Sequence, residues 1–296
     1  MSLLLDRRTF LCIVPQGLAL LSGSCGRSEV AGTEDEQANK QGEDLPANPG
    51  QLRVTFLKAG KADAIIVRTD NSCVVVDTGT DEKADKLCDA VAGLGVTTID
   101  VLIITHFDQD HVGGADALID AFEIQKVFST YKSKDSDEVE EYERALEKRG
   151  LVPQVLREIT RFDLDGASYT VIPPKKEVYG EKTSNDSSLV TRIEWGTTSM
   201  LLAGDIEQER IDELVAGDTN LSCNLLKVPH HGRAEKNSAV FAQATHPAYA
   251  IITSSKSDKE DDEVVEAYEA VGAQVFLTRK GTVVATSDGE RLSVAQ

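Results

Sequence analysis

Short apolar or alternating runs recur along most of this chain, at 52–57, 64–68, 73–76, 101–104, 126–128, 169–172 and 189–195. They continue at 199–203, 224–228, 249–252, 274–277, 282–285 and 291–294. This period of two, or continuous burial over a few residues, predicts strands. Apolar residues return with helical spacing at 82–94, 114–122, 137–149, 207–215, 238–244 and 261–271, which predicts helices. Strands outnumber helices, and the polar stretches rich in His, Asp and Gly fall just after strands. That order predicts an α/β chain with two sheets packed face to face, helices outside, and functional loops along one edge.

Composition narrows the class. The chain has 296 residues, of which 41% are hydrophobic, enough for one sizeable core. Aromatics are only 5%, little material for stacking on bases. The formal charge of −19 disfavours long nucleic acid as a partner, because a phosphate backbone is repelled at long range.

The beginning of the chain reads separately. Asp6-Arg7-Arg8-Thr9-Phe10-Leu11 resembles a twin-arginine export motif. The apolar stretch at 11–21 is interrupted by Pro15 and Gln16 and is too short to span a bilayer. Leu21-Ser22-Gly23-Ser24-Cys25 is similar to a bacterial lipobox, with its Leu one position too far upstream, so Cys25 is the candidate lipidation site. An ordinary cleaved signal or a cytosolic tail is the alternative. Residues 26–50 are acidic and polar with almost nothing to bury, and read as a disordered tether. The expected organisation is therefore an export signal at 1–25, the tether at 26–50 and one globular domain at 51–296. The implied location is the cell envelope, with the membrane reached through a lipid anchor only. Cys73, Cys88 and Cys223 have no zinc-knuckle spacing and are expected as structural residues.

The chemistry concentrates at Ile104-Thr105-His106-Phe107-Asp108-Gln109-Asp110-His111-Val112-Gly113-Gly114. A buried strand delivers two imidazoles and two carboxylates into one turn, and the glycines let a helix start close behind. Mixed His and Asp ligands suit zinc, manganese or iron, and this number of donors suits a pair of ions better than one.

The spacing His-x-Asp-x-Asp-His resembles the His-x-His-x-Asp-His signature of the metallo-β-lactamase-fold hydrolases. It is similar to the variant in the soluble hydrolase domain of the DNA-uptake competence protein family ComEC. Further pieces follow in order: Gly60-Lys61-Ala62-Asp63-Ala64, Asp77-Thr78-Gly79, Asn185-Asp186-Ser187-Ser188-Leu189-Val190, Gly204-Asp205, and Lys227-Val228-Pro229-His230-His231-Gly232. The resemblance implies a four-layer αββα sandwich. It implies that His106 and Asp108 hold one ion, that Asp110 and His111 hold the other, and that Asp205 bridges them. A helix N-cap is the other reading of Asp205. His230 is expected to complete the second site, leaving His231 to face the substrate.

Asn185 stands where most of the superfamily place a third His, and reads equally as an Asx turn or as a ligand to a harder ion. Asp63 and Asp77 are expected to orient ligands or tie down loops. Arg233 replaces the usual Ser after His-His-Gly and is a candidate contact for a substrate phosphate. The chain also lacks the His-Pro pair that the competence family places before its last helix, having Lys259-Glu260-Asp261-Asp262 instead.

These readings imply a metal-dependent hydrolase with two divalent ions, zinc or manganese. A water held between the ions attacks, Asp108 or Asp110 accepts its proton, and His231 or Arg233 assists the leaving group. A small or short phosphodiester is the leading substrate class. Alternatives are an ester or lactone hydrolase on the same metals, or a surface metal-binding lipoprotein with little turnover. The sequence sets neither the natural substrate nor the oligomeric state.

Overall fold

The computed structural model describes residues 50–180 and 183–296. The expected export signal, Cys25 and nearly all of the tether lie outside the described residues.

Two large sheets carry the fold. The first runs in the order Leu292–Ala295, Val283–Ser287, Leu52–Phe56, Ala64–Arg68, Cys73–Thr78, Val101–Ile104, Val127–Ser129 and Gln154–Val155. Its first five strands form antiparallel neighbours, and from Cys73–Thr78 onward pairing is parallel. The second sheet runs Gln274–Leu277, Tyr249–Ile252, Leu225–Lys227, Thr198–Leu202, Val190–Trp195, Ala167–Ile172 and Thr160–Leu164. It is parallel as far as Thr198–Leu202 and antiparallel beyond. Each sheet thus changes sense once.

Alternation along the strands sorts side chains into layers. Val74, Val76, Val101 and Ile103 of the first sheet join Met200, Leu202, Leu225 and Ile251 of the second in one core between the sheets. Their neighbours Cys73, Val75, Leu102 and Ile104 face a second core under the helices Ala84–Gly93, Ala115–Ala121 and Asp137–Arg149. Leu201, Leu226, Ala250 and Ile252 face a third, under Gln208–Val215, Ser238–Thr245 and Asp262–Ala270. Strands covered on both faces must be apolar at every position, which is why they read as continuous runs. The result is the four-layer αββα sandwich.

Candidate metal centre

The candidate groups leave the carboxyl ends of strands beside the point where each sheet changes sense. Asp77 lies near the end of Cys73–Thr78, and His106 follows Val101–Ile104. Asp205 follows Thr198–Leu202, His231 follows Leu225–Lys227, and Thr253 follows Tyr249–Ile252. Such crevices outside strand carboxyl ends are where parallel sheets place ligands, because the chain there leaves a rigid support in diverging directions. His111 comes from the one-turn helix Gln109–Val112, and Asp110 from the same turn.

Three imidazoles are oriented by one rule. His111 Nδ1 lies 2.7 Å from Asp77 Oδ2. Asp77 also accepts the Thr105 backbone N–H at 2.7 Å and its hydroxyl at 2.6 Å, so the carboxylate is fixed at both oxygens. His231 Nδ1 lies 2.9 Å from Thr253 Oγ1, whose own proton goes to Asp63 Oδ1 at 2.6 Å. His106 Nδ1 lies 3.1 Å from Thr105 Oγ1 and 3.2 Å from Ser188 Oγ. Both hydroxyls have spent their protons, on Asp77 and on the Asn185 carbonyl. In each case the partner can only accept, so Nδ1 carries the hydrogen and Nε2 is turned inward.

The inward atoms converge. Asp205 Oδ2 lies 2.9 Å from His231 Nε2 and 3.2 Å from His111 Nε2. Asp110 Oδ2 lies 3.2 Å from His231 Nε2, and the two imidazole nitrogens lie 3.3 Å apart. One donor atom from each of Asp110, His111, Asp205 and His231 thus falls within 4.8 Å of the other three. His106 lies tilted against His111 with ring centres 4.0 Å apart, and its buried Nε2 has no hydrogen-bond partner. An orphaned imidazole nitrogen beside a four-donor cage fits a metal centre; a purely structural polar core would have satisfied it. His and Asp together suit zinc or manganese.

The electrostatics agree. Burial pulls the His106 ring down to about 3, so it stays neutral and available as a ligand. Burial is the largest single influence on His111 and His231 and opposes a charge on each, but the carboxylates together outweigh it, Asp205 with Asp77 at His111 and Asp205 with Asp110 at His231. Their rings are thereby held above the ordinary histidine value. Without an ion, protons occupy the positions that face Asp205, and a metal displaces them. Asp205 is held far below the carboxylate range, against its burial, by His231, His111 and Lys227.

Several expected roles change. The histidine pair is assigned the other way round: His231 enters the cage, and His230 turns to Glu207, with Nδ1 3.3 Å from Oε1. Both residues adopt left-handed backbone angles, φ 47° and 52°, and this tight turn throws successive side chains to different sides. Asp205 is not the cap of the following helix; Glu207 is. Asn185 is no Asx turn. Its side-chain amide donates to Glu207 at 2.6 Å, its backbone carbonyl accepts the Ser188 hydroxyl, and the Ser187 N–H goes to the Ser184 carbonyl. Arg233 is directed to Asp258 and Asp261, away from the cage. Asp108 stands at the rim, where its Oδ1 accepts Ser184 at 2.5 Å and Lys134 at 3.2 Å. It is near enough to His106 for their charges to act on one another.

Asp77 lies against the His111 ring, and Asp63 reaches the His231 ring through Thr253. Sequence reasoning assigned no role to Lys134, Thr105, Ser188 or Thr253. Single hydroxyls and an exposed lysine carry no spacing signal. Cys73, Cys88 and Cys223 are all free thiols.

The family model described as the metallo-beta-lactamase superfamily matches residues 57–253. ComE operon protein 3 of Bacillus subtilis (strain 168) is 28% identical over 165 residues, 56% of this chain and 21% of that protein. Competence protein ComA of Neisseria gonorrhoeae is 28% identical over 214 residues, 72% of this chain and 28% of that protein. The chain therefore matches only a fraction of either relative's length. Among solved structures, Igni18, a metallo hydrolase from Ignicoccus hospitalis, superposes with a TM-score of 0.52 at 17% identity, covering 79% of this chain and 98% of that one. That likeness concerns the fold.

Proposed function

Because the chain belongs to the metallo-beta-lactamase superfamily, and so to the metallo-hydrolases, we propose that it is a phosphodiesterase acting on a small or short phosphodiester with two divalent ions, zinc or manganese. The observation that carries the substrate class is Lys134. Its ammonium lies 3.2 Å from Asp108 at the rim of the centre and remains partly exposed. A cation held there meets an anionic substrate before the substrate reaches the cage, and a neutral ester gains nothing from it.

Bound ions supply Lewis-acid polarisation of the phosphoryl oxygens and a water acidic enough to act near neutral pH. The protein's own groups do the rest. Asp110, His111, Asp205 and His231 would hold one ion, and the unpartnered Nε2 of His106 would be available to a second. Asp110 is the more exposed of the two cage carboxylates and is the one that would hand a proton to solvent. Asp108, tied to Lys134 and Ser184, sits where substrate enters. His231 is spent on the cage and Arg233 on its aspartates, so neither assists the leaving group.

We further propose that the protein acts outside the cytoplasm, lipid-tethered in the cell envelope. Support comes from the arginine pair at 7–8, the lipobox-like 21–25 and the acidic stretch after it. Two relatives bear competence names. Among the described residues no helix is long and apolar enough to cross a membrane. The net charge of −19 supports a short substrate over a long duplex.

The test is hydrolysis of bis(p-nitrophenyl) phosphate beside p-nitrophenyl acetate and a simple lactone, after loading with zinc or manganese. Faster turnover of the diester is expected. Preference for the acetate or lactone would give the acyl-hydrolase alternative, and metal uptake without turnover of any would give the binding protein.

A further inference from the structure

We infer that Lys227 is the positioning residue of the metal centre: its buried ammonium presets Asp205, and through Asp63 and Thr253 it presets His231, before any ion arrives. The inference rests on the metal-centre reading and adds to it the residue that assembles the cage.

Lys227 is fully buried. Its Nζ lies 2.5 Å from Asp63 Oδ2, 3.1 Å from Asp205 Oδ1 and 2.9 Å from the Gly204 carbonyl. The ammonium donates to the Gly204 carbonyl and to Asp205, and its charge faces the Asp63 carboxylate as an ion pair. A buried lysine held by two hydrogen bonds and an ion pair is a fixed reference point and not a flexible surface charge.

What it fixes follows from the partners. Holding Asp205 by Oδ1 leaves Oδ2, the atom facing His111 and His231, as the one turned to the cage. Holding Asp63 by Oδ2 leaves Oδ1 for Thr253, which in turn receives the His231 ring. Asp63 is also bound through its backbone N–H to the Asp110 carbonyl at 3.1 Å. Asp63 precedes the strand Ala64–Arg68 of one sheet, and Lys227 ends Leu225–Lys227 of the other. The ion pair therefore joins the two halves of the sandwich at the point where ligands from both must meet.

Lys227 also supplies the positive charge that Asp205 and Asp63 need while the centre is empty of metal. Removing one partner of such a buried pair leaves the other charge uncompensated. A cage that is no longer preset binds its ion more weakly, so the loaded protein loses part of the metal's contribution as well, and a packing residue would show no such dependence.

The experiment uses the full chain as wild type, Lys227→Met and Asp63→Asn, stripped with chelator and reloaded with zinc alone or manganese alone. Melting is followed in both states, and affinity is measured by competition with a chelating dye well below the melting temperature. Lys227→Met should lose stability when stripped and still more when loaded, the excess being its lost metal affinity. Asp63→Asn keeps an acceptor for Thr253 but no carboxylate for Lys227, and should lose about tenfold or more in metal affinity. Should Lys227→Met fail to fold in either state, Asp63→Asn carries the test alone. Wild-type affinity in Asp63→Asn, or equal destabilisation of Lys227→Met in both states, would overturn the inference. Wild type that takes up neither ion would instead overturn the metal centre itself.

Discussion

His111 gives its Nδ1 hydrogen to Asp77 across 2.7 Å, and that bond decides which ring nitrogen faces the metal centre. Both residues are fully buried, so no water replaces the bond if it is lost. Asp77→Asn keeps the volume but weakens the acceptor and frees the ring. Metal affinity should fall by about 10- to 100-fold, read by dye competition. Unchanged affinity would mean that packing alone orients His111.

The two adjacent histidines should separate cleanly. His231→Ala removes a cage donor, so metal content and turnover should both fall. His230→Ala should keep the cage ion, because its ring faces Glu207. Metal analysis of the two purified variants decides it, and the opposite pattern would restore the assignment that the sequence suggests.

Lys134 tests the substrate class. Lys134→Ala should raise KM for a phosphodiester several-fold while leaving metal content and melting temperature nearly unchanged, since the ammonium is partly exposed and its ion pair adds little to stability. Raising the salt concentration should narrow the difference from wild type. An unaltered KM would remove the main support for an anionic substrate.

Asp186 sets an acid-range dependence. Burial pushes its carboxyl up to about 6, although it accepts the Glu207 N–H at 2.7 Å. Its folded value lies above the unfolded one, so between roughly pH 4 and 6 the native state binds more protons. Stability from this group is therefore present at the acid end and is lost as pH rises through about 6. Asp186→Asn should flatten that part of the melting-temperature profile. A profile identical to wild type would sink the assignment.

Gly113 tests how closely the ligand turn is packed. A Cβ there would lie 2.5 Å from the Gln109 carbonyl and 2.8 Å from the Asp81 nitrogen, both backbone atoms unable to swing aside. Gly113→Ala should cost about 1–3 kcal/mol in denaturant unfolding. Because the turn carries Asp110 and His111, metal affinity should fall with it.

The sequence by itself determined most of the architecture. Strands buried on both faces must be apolar throughout, so Cys73–Thr78, Val101–Ile104 and Thr198–Leu202 stood out as runs. The edge strand Thr160–Leu164 did not. It is half-exposed along its length and offers only Phe162 and Leu164 to the core, so solvent leaves its pattern polar. The one-turn helices Gln109–Val112 and Thr183–Asp186 are too short for helical periodicity to register.

The same division holds at the metal centre. His106, Asp110, His111 and Asp205 were legible because metal chemistry demands those residue types at strand ends. Tertiary structure alone decided between His230 and His231, since the choice depends on backbone dihedral angles in one turn that residue identity does not encode. It also decided the fate of Arg233, which two aspartates 25 and 28 positions onward draw away. Lys227, Thr253 and Asp63 meet only because the two sheets face each other. A hydrogen bond across 190 positions of chain leaves no mark in local sequence.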